Sequence, residues 1–212
     1  MRCAGSPSTP WVPPKGEVRG ESGQRPRPGV SGSRLLPVSH GILVVCTANV
    51  CRSPVMEAML AQLLDPTRFE VASAGVMAPR GTPIDPESAA QLRARNVPVP
   101  ERTARQLKRD LVTAADLVLT ATRAHRADVL DLDPRALRRT FTLVEFAALC
   151  TQVEATDFAG LVAAAATERS RGPRDVDLID PIGQPTEVHA EVAARIETAV
   201  RTIAEVLGRL EG

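Results

Sequence analysis

The chain contains no tyrosine, and aromatic residues make up only 2% of its 212 positions. That scarcity excludes a core or a ligand surface built on stacked rings and leaves packing to aliphatic side chains. Lysine is almost missing too: Lys15 and Lys108 are the only two, so arginine carries nearly all of the 26 positive charges. Against these stand 25 acidic residues, for a net charge of +1. A chain so balanced lacks the broad basic field of a nucleic-acid or membrane-surface binder. No segment reaches the roughly 18 consecutive apolar residues of a membrane span, and none has the apolar core of a signal peptide. The expectation is a cytoplasmic protein with neither nucleic-acid partner nor membrane insertion. The four cysteines, Cys3, Cys46, Cys51 and Cys150, are too few for a disulfide scaffold in a chain of this length. His40, His125 and His189 are scattered and meet no second cysteine pair, so no metal and no cofactor is expected.

What is present divides into two parts. Residues 1–37 are dense in Pro, Gly, Ser and Arg, hold one aromatic (Trp11) and show no periodicity, which reads as a disordered tail. From residue 38 to 212 the pattern is that of one α/β domain. Ile42 to Val45 is a short β-branched apolar run, read as a buried strand. It leads into a polar loop, and Pro54 then opens a helix over 54–64, with Val55, Met59, Leu60, Leu63 and Leu64 on one face. Phe69 to Ala74 reads as a second strand, and strand, helix, strand implies a right-handed parallel unit whose crevice lies beyond the strands' C-terminal ends. A helix follows over 85–96, capped by Asp85 with Pro86 at its first position. Helical patterns are expected over 107–115, 123–130, 144–150, 155–169 and 187–210, with strands over 117–120 and 140–143. The fold class is therefore a three-layer α/β sandwich, a four-stranded parallel sheet with helices on both faces.

The stretch from Cys46 to Pro54, CTANVCRSP, carries the chemistry. Five residues between Cys46 and Arg52 suffice to curl the backbone into a ring of N–H groups around a tetrahedral anion, with the planar fork of Arg52 closing it. Inward amides, a helix N-terminus, Arg52 and the Ser53 hydroxyl together favour a thiolate on Cys46, the candidate nucleophile. Thr47, Ala48, Asn49, Val50, Cys51 and Ser53 make up the substrate-binding loop, in which Asn49 is suited to a left-handed backbone. Cys51 is placed to capture an oxidised Cys46 as a disulfide, or is simply a small residue packed under the loop; the two readings are compatible. Cys150, at the end of an apolar helical run, reads as a buried structural thiol. Asp180, in Asp180-Pro181-Ile182-Gly183, reads on residue chemistry alone as a turn or cap residue before it reads as an acid. Asp175 and Asp177 read as solvated loop charges.

The loop, together with Ser73-Ala74-Gly75, Gly81-x-Pro83 with Asp85-Pro86, Ala104-Arg105-Gln106, Ala115 to Leu119 and Asp180-Pro181, resembles the bacterial low-molecular-weight protein tyrosine phosphatases in order and spacing. The resemblance implies a cysteine-dependent phosphomonoester hydrolase that needs nothing before about Val38 and passes through a phosphocysteine. Cys46, Arg52 and Asp180 would be catalytic, Asp180 as acid and then base. It implies that Ser73 braces Asn49, and that the partner is a tyrosine-phosphorylated protein, a bacterial tyrosine kinase among the candidates, met by a monomer or weak dimer. Three departures stand out. Ala48 replaces a usual Gly, which is free of strain only if φ there is negative. Arg102 stands where a histidine is common. Ile182 replaces the aromatic expected after Asp-Pro. Val50 resembles the aliphatic residue of the tyrosine-specific members, where protein-arginine phosphatases have Thr. The alternatives are an arginine phosphatase, an arsenate reductase on the same fold, which would want two further cysteines downstream, or a catalytically weak phosphoprotein-binding module.

Overall fold

Alternation along the first strand decides how the layers are filled. In the computed structural model, which describes residues 40–210, β1 (His40–Cys46) sends Ile42, Val44 and Cys46 to one face of the sheet and Leu43 and Val45 to the other. A strand buried on both faces must be apolar at every position, and this one is from Ile42 onward. The readings of residues 1–37 and of Cys3 lie outside the described residues. Three more strands join it in parallel: β2 (Phe69–Gly75), β3 (Leu117–Thr120) and β4 (Thr140–Thr142), in the order β2-β1-β3-β4. The chain leaves β1 for one neighbour, then crosses to the other side for β3. β1 therefore sits at the point where the winding reverses, and the crevice for a ligand opens beyond its C-terminal end.

The larger layer holds α1 (Arg52–Leu63), α2 (Pro86–Ala94), α5 (Leu143–Cys150), α6 (Phe158–Thr167) and α7 (Thr186–Arg209). Their buried faces share one core with Ile42, Val44, Phe141 and Leu117. α3 (Arg109–Ala114) and α4 (Arg123–Leu132) cover the other face, through Leu111, Val112 and Val129. The expected architecture is the observed one. Asp85 caps α2 by accepting from the Ser88 amide at 2.9 Å, with Pro86 next. Thr142 and Glu145 form a capping box at α5.

Some boundaries differ. The helix expected over 155–169 begins only at Phe158, because the Asp157 carboxylate accepts from the Gly160 amide at 2.7 Å, and it closes in a separate 3-10 turn at Arg169–Arg171. The segment Pro134–Arg139 is a 3-10 helix that periodicity did not announce; the Asp133 side chain starts it by accepting from the Arg135 amide. α3 is shorter than the pattern over 107–115, since Leu107 instead donates to Gly75 O in an extension of the sheet edge. Among the described residues, no helix is long and apolar enough to cross a membrane.

Candidate active site

At the end of β1 the chain turns through Thr47 to Cys51 into α1. The carbonyls of Cys46, Thr47 and Val50 accept from the amides of Val76, Met77 and Asp85, at 3.0, 2.8 and 2.9 Å. A trans peptide carries its N–H opposite its C=O, so anchoring these carbonyls outward turns the amides of Thr47, Ala48 and Cys51 to the concave side. Cys51 occupies the N-cap of α1 without a side-chain cap. The first amides of that helix are thus left for an anion, with the positive end of the dipole behind them. Asn49 has φ of +57°, the left-handed conformation expected of it, and Ala48 is not among the positive-φ residues, so its methyl group introduces no backbone strain.

Asn49 is the knot of the loop. Its Nδ2 donates to Ser73 Oγ at 2.6 Å and to Ser53 Oγ at 2.9 Å, and its Oδ1 accepts from the Arg105 amide at 2.8 Å. The brace from Ser73 is thus the one expected. Ser53 Oγ lies 3.0 Å from Cys46 Sγ. That oxygen accepts from Asn49, and its own proton has two acceptors in reach, the sulfur and Ala74 O at 3.4 Å. Gly75, paired with Cys46 across β1 and β2, permits the close approach: a Cβ there would lie 2.6 Å from Thr47 O and 2.8 Å from Asn49 N.

Arg52 is buried, and its guanidinium is held on three sides. Nη1 donates to Leu178 O at 3.2 Å, and Nη2 donates to Thr47 Oγ1 at 3.1 Å and faces Asp180 Oδ2 at 2.8 Å. Nε is buried without a hydrogen-bond partner among the described residues. A buried charged donor left unmatched is costly unless a ligand meets it. The fold therefore brings Cys46, Arg52, Ser53, Asn49 and Asp180 together, although Asp180 is 128 residues beyond Arg52 in the chain. The Asp180 side chain is 45% exposed, open to a group entering the loop. Ile179 and Ile182, 54% and 51% exposed, flank Asp180 in sequence, and Met77, 74% exposed, donates its amide to Thr47 O.

Two residues read as solvated loop charges do lie in a loop, Asp175 with its side chain 86% exposed, and both are partnered there. Asp177 accepts from the Arg123 amide at 2.8 Å and pairs with its side chain, tying the 175–182 segment to the start of α4, and Asp175 pairs with Arg195 at 2.9 Å. Arg102, in place of the family's histidine, forms an ion pair with Glu57 on α1. Burial lowers its guanidinium to about 10. Cys51 packs with Val50 and Ala104. Burial pushes its thiol up to about 12 against a hydrogen bond from Ser88, so at neutral pH it is a protonated thiol and not a rival nucleophile. Cys150 is buried, and burial likewise raises it to about 12. No three His, Cys, Asp or Glu side chains among the described residues are grouped as metal ligands.

One participant escaped the sequence reading. His125, dismissed as one of three scattered histidines, places Nε2 2.9 Å from Thr47 Oγ1. Its only local signal is the capping pattern Thr122-x-x-His125, which says nothing of a residue 78 positions earlier.

Residues 41–157 match the family described as low molecular weight phosphotyrosine protein phosphatase. The protein-arginine-phosphatase of Geobacillus stearothermophilus is 32% identical over 168 residues, 79% of this chain and 96% of its own length. A probable low molecular weight protein-tyrosine-phosphatase, EpsP, from Ralstonia solanacearum is 36% identical over 104 residues, covering 49% of this chain and 70% of its own. Among solved structures, the YwlE arginine phosphatase from Geobacillus stearothermophilus superposes with a TM-score of 0.64 at 29% identity, covering 80% of this chain and 94% of that one. The tyrosine phosphatase Wzb from Escherichia coli K30, solved with sulphate, gives 0.63 at 23% identity over 81% and 100%, a likeness of fold. With the sheet order, the cysteine loop at the switch point and these matches in agreement, the chain belongs to the low molecular weight phosphotyrosine protein phosphatase family.

Proposed function

We propose that the chain hydrolyses phosphotyrosine in proteins by two displacements at phosphorus. The observation that carries the reading is the Cys46 sulfur under a loop of inward amides, with Arg52 Nε unpaired and Asp180 at the rim. Cys46 Sγ attacks phosphorus and the P–O bond to the leaving group breaks as Asp180 protonates the departing oxygen. Asp180, now a carboxylate, takes a proton from the water that attacks the phosphocysteine. The S–P bond breaks, phosphate leaves and the thiolate returns. Loop amides and Arg52 hold the equatorial oxygens throughout, where charge builds up in the transition state. No metal enters any step.

Val50 supports tyrosine over arginine as the bearer of the phosphoryl group: it is packed with Cys51, Ala104, Ala48 and Ala78, and an aliphatic side chain at this loop position offers no acceptor for a guanidinium. Ile182 and Met77 give a phenyl ring apolar contact without stacking. The arginine reading keeps its own support, since the relative matched over nearly its whole length is a protein-arginine-phosphatase. The physiological setting that accompanies the tyrosine reading is the cytoplasm, with a phosphorylated protein such as a bacterial tyrosine kinase as partner, on a domain spanning residues 38–212.

Release of phosphate from p-nitrophenyl phosphate in EDTA tests the chemistry. Cys46→Ser is expected to abolish turnover, and Asp180→Ala to lower kcat by about 10² to 10⁴-fold. Phosphotyrosine and phosphoarginine peptides offered in competition then decide the substrate. Folded wild-type protein that binds phosphate without turning over any phosphomonoester would replace the hydrolase by a phosphoprotein-binding module.

A further inference from the structure

Thr47 stands between two nitrogen-bearing side chains, and one assignment of the protons gives every donor around it an acceptor. Arg52 has donors only, so the 3.1 Å contact from Nη2 makes Thr47 Oγ1 an acceptor. The Thr47 hydroxyl proton must then go elsewhere, and His125 Nε2 is 2.9 Å away. With Nε2 as the acceptor of that proton, the ring proton is assigned to Nδ1, 2.8 Å from Thr122 Oγ1. Thr122 Oγ1 is the N-cap acceptor of α4, taking the His125 amide at 3.3 Å, so it has a lone pair for each. The chain of donors runs Arg52 to Thr47 to His125 to Thr122.

We propose that His125 is a positioning residue for Arg52: by accepting the Thr47 hydroxyl proton at Nε2 it fixes Thr47 Oγ1 as the acceptor that orients Nη2 and thereby turns the unpaired Nε into the loop. The proposal rests on the reading of that loop as a phosphate cradle. His125 is buried, and the charged groups that face it are Arg52 from α1, Asp177 and Asp180 from the segment before α7, and Asp128 one turn along its own helix. Burial first, and then Arg52, holds the imidazole below its ordinary range, while the three aspartates act in the opposite sense. The ring is thus neutral at pH 7. An imidazolium would set a second cation against Arg52 and force the Thr47 hydroxyl to find another acceptor.

The test joins spectroscopy to kinetics. Nitrogen-15 NMR of the imidazole in the full chain is expected to show the Nδ1–H tautomer; an Nε2–H tautomer overturns the proposal. His125→Ala and Thr47→Val are each expected to weaken binding of inorganic phosphate and to lower kcat/KM for p-nitrophenyl phosphate by about 10- to 100-fold, the range for a hydrogen bond to a charged group. The double variant should be no worse than Thr47→Val alone. His125→Gln, whose side-chain carbonyl replaces the Nε2 acceptor, should recover activity to within about fivefold and should lose the dependence of kcat/KM on histidine protonation at acid pH. Alanine at 125 within twofold of wild type, or additive losses in the double variant, overturns the proposal. If His125→Ala does not fold, Thr47→Val and the tautomer still decide. A wild type without turnover, whose phosphate binding nonetheless weakens in Thr47→Val and His125→Gln restores it relative to His125→Ala, upholds the positioning role and removes only the hydrolase reading.

Discussion

Substituting Gly75 by alanine adds one methyl group where the loop is nearest the sheet edge. The added Cβ would lie 2.6 Å from Thr47 O, 2.8 Å from Ala48 C and 2.8 Å from Asn49 N, all backbone atoms. Ordinary contact begins near 3.4 Å, so something must move by about 0.8 Å. β2 is an edge strand, and in isolation it would swing away. Gly75 is held from its other side, however, by its amide donating to Arg105 O at 2.9 Å and its carbonyl accepting from Leu107 at 2.7 Å. The Met77 amide and Thr47 O, at 2.8 Å, fasten the loop to the same segment. The displacement therefore falls on Thr47, Ala48 and Asn49, whose amides form the cradle. Overpacking of this kind costs about 1–3 kcal/mol, or roughly 2–12 °C in Tm for a domain of this size. A misplacement near 1 Å in a charge-stabilising site costs on the order of 10²-fold in rate. The assay is kcat/KM for p-nitrophenyl phosphate beside a thermal melt, with phosphate as a competitive inhibitor. If Gly75→Ala keeps kcat/KM within threefold and its Tm within 1 °C, the tight approach of β2 is not what sets the loop.

Asn49→Gly keeps the left-handed backbone but removes three hydrogen bonds, whereas Asn49→Ala also strains φ. Both should lose activity by more than tenfold, and the alanine variant should melt lower by the equivalent of about 1 kcal/mol. Arg102→Ala leaves the buried Glu57 without its cation and is expected to destabilise by about 2 kcal/mol in denaturant titrations, discounted from a fully buried pair because Arg102 reaches solvent; Arg102→Ala with Glu57→Gln should recover part of the loss. For His125, a folded-state value below the ordinary one means that the unfolded chain binds the extra proton first. Stability should thus fall as pH drops below the ordinary histidine range, and the slope of Tm between pH 7 and 5 should be shallower in His125→Gln than in wild type. Equal slopes would show that other groups carry the dependence.

The parts of the fold that the sequence announces are those where local chemistry and burial agree. β1 is apolar at each position from Ile42, and Asp85-Pro86 carries both cap and first turn for α2. The loop was legible because a phosphate cradle needs a thiol, an arginine and a helix start within nine residues. What failed was decided by side-chain hydrogen bonds that periodicity does not carry, some long-range and some local. Asp177 looks solvated until its partner at Arg123 is known, and the helix at 158 begins late because Asp157 caps it. His125 illustrates the limit: nothing local to a histidine early in a helix signals that its far nitrogen meets Thr47.

The backbone of Leu178 fixes the site from both sides. Its amide donates to Ala121 O at 2.9 Å, just past β3, and its carbonyl accepts from Arg52. The segment bearing Asp180 is thereby clamped to the sheet two residues before the acid. The acid is therefore at the rim before any substrate arrives. A substrate encounters a cup already shaped, and it has only to part the half-exposed Asp180 carboxylate from the buried Arg52. Catalysis should accordingly be limited by bond-making at phosphorus and insensitive to added viscogen, and changes in preference among phosphoproteins would come from what lines the rim, not from the tempo of a moving loop.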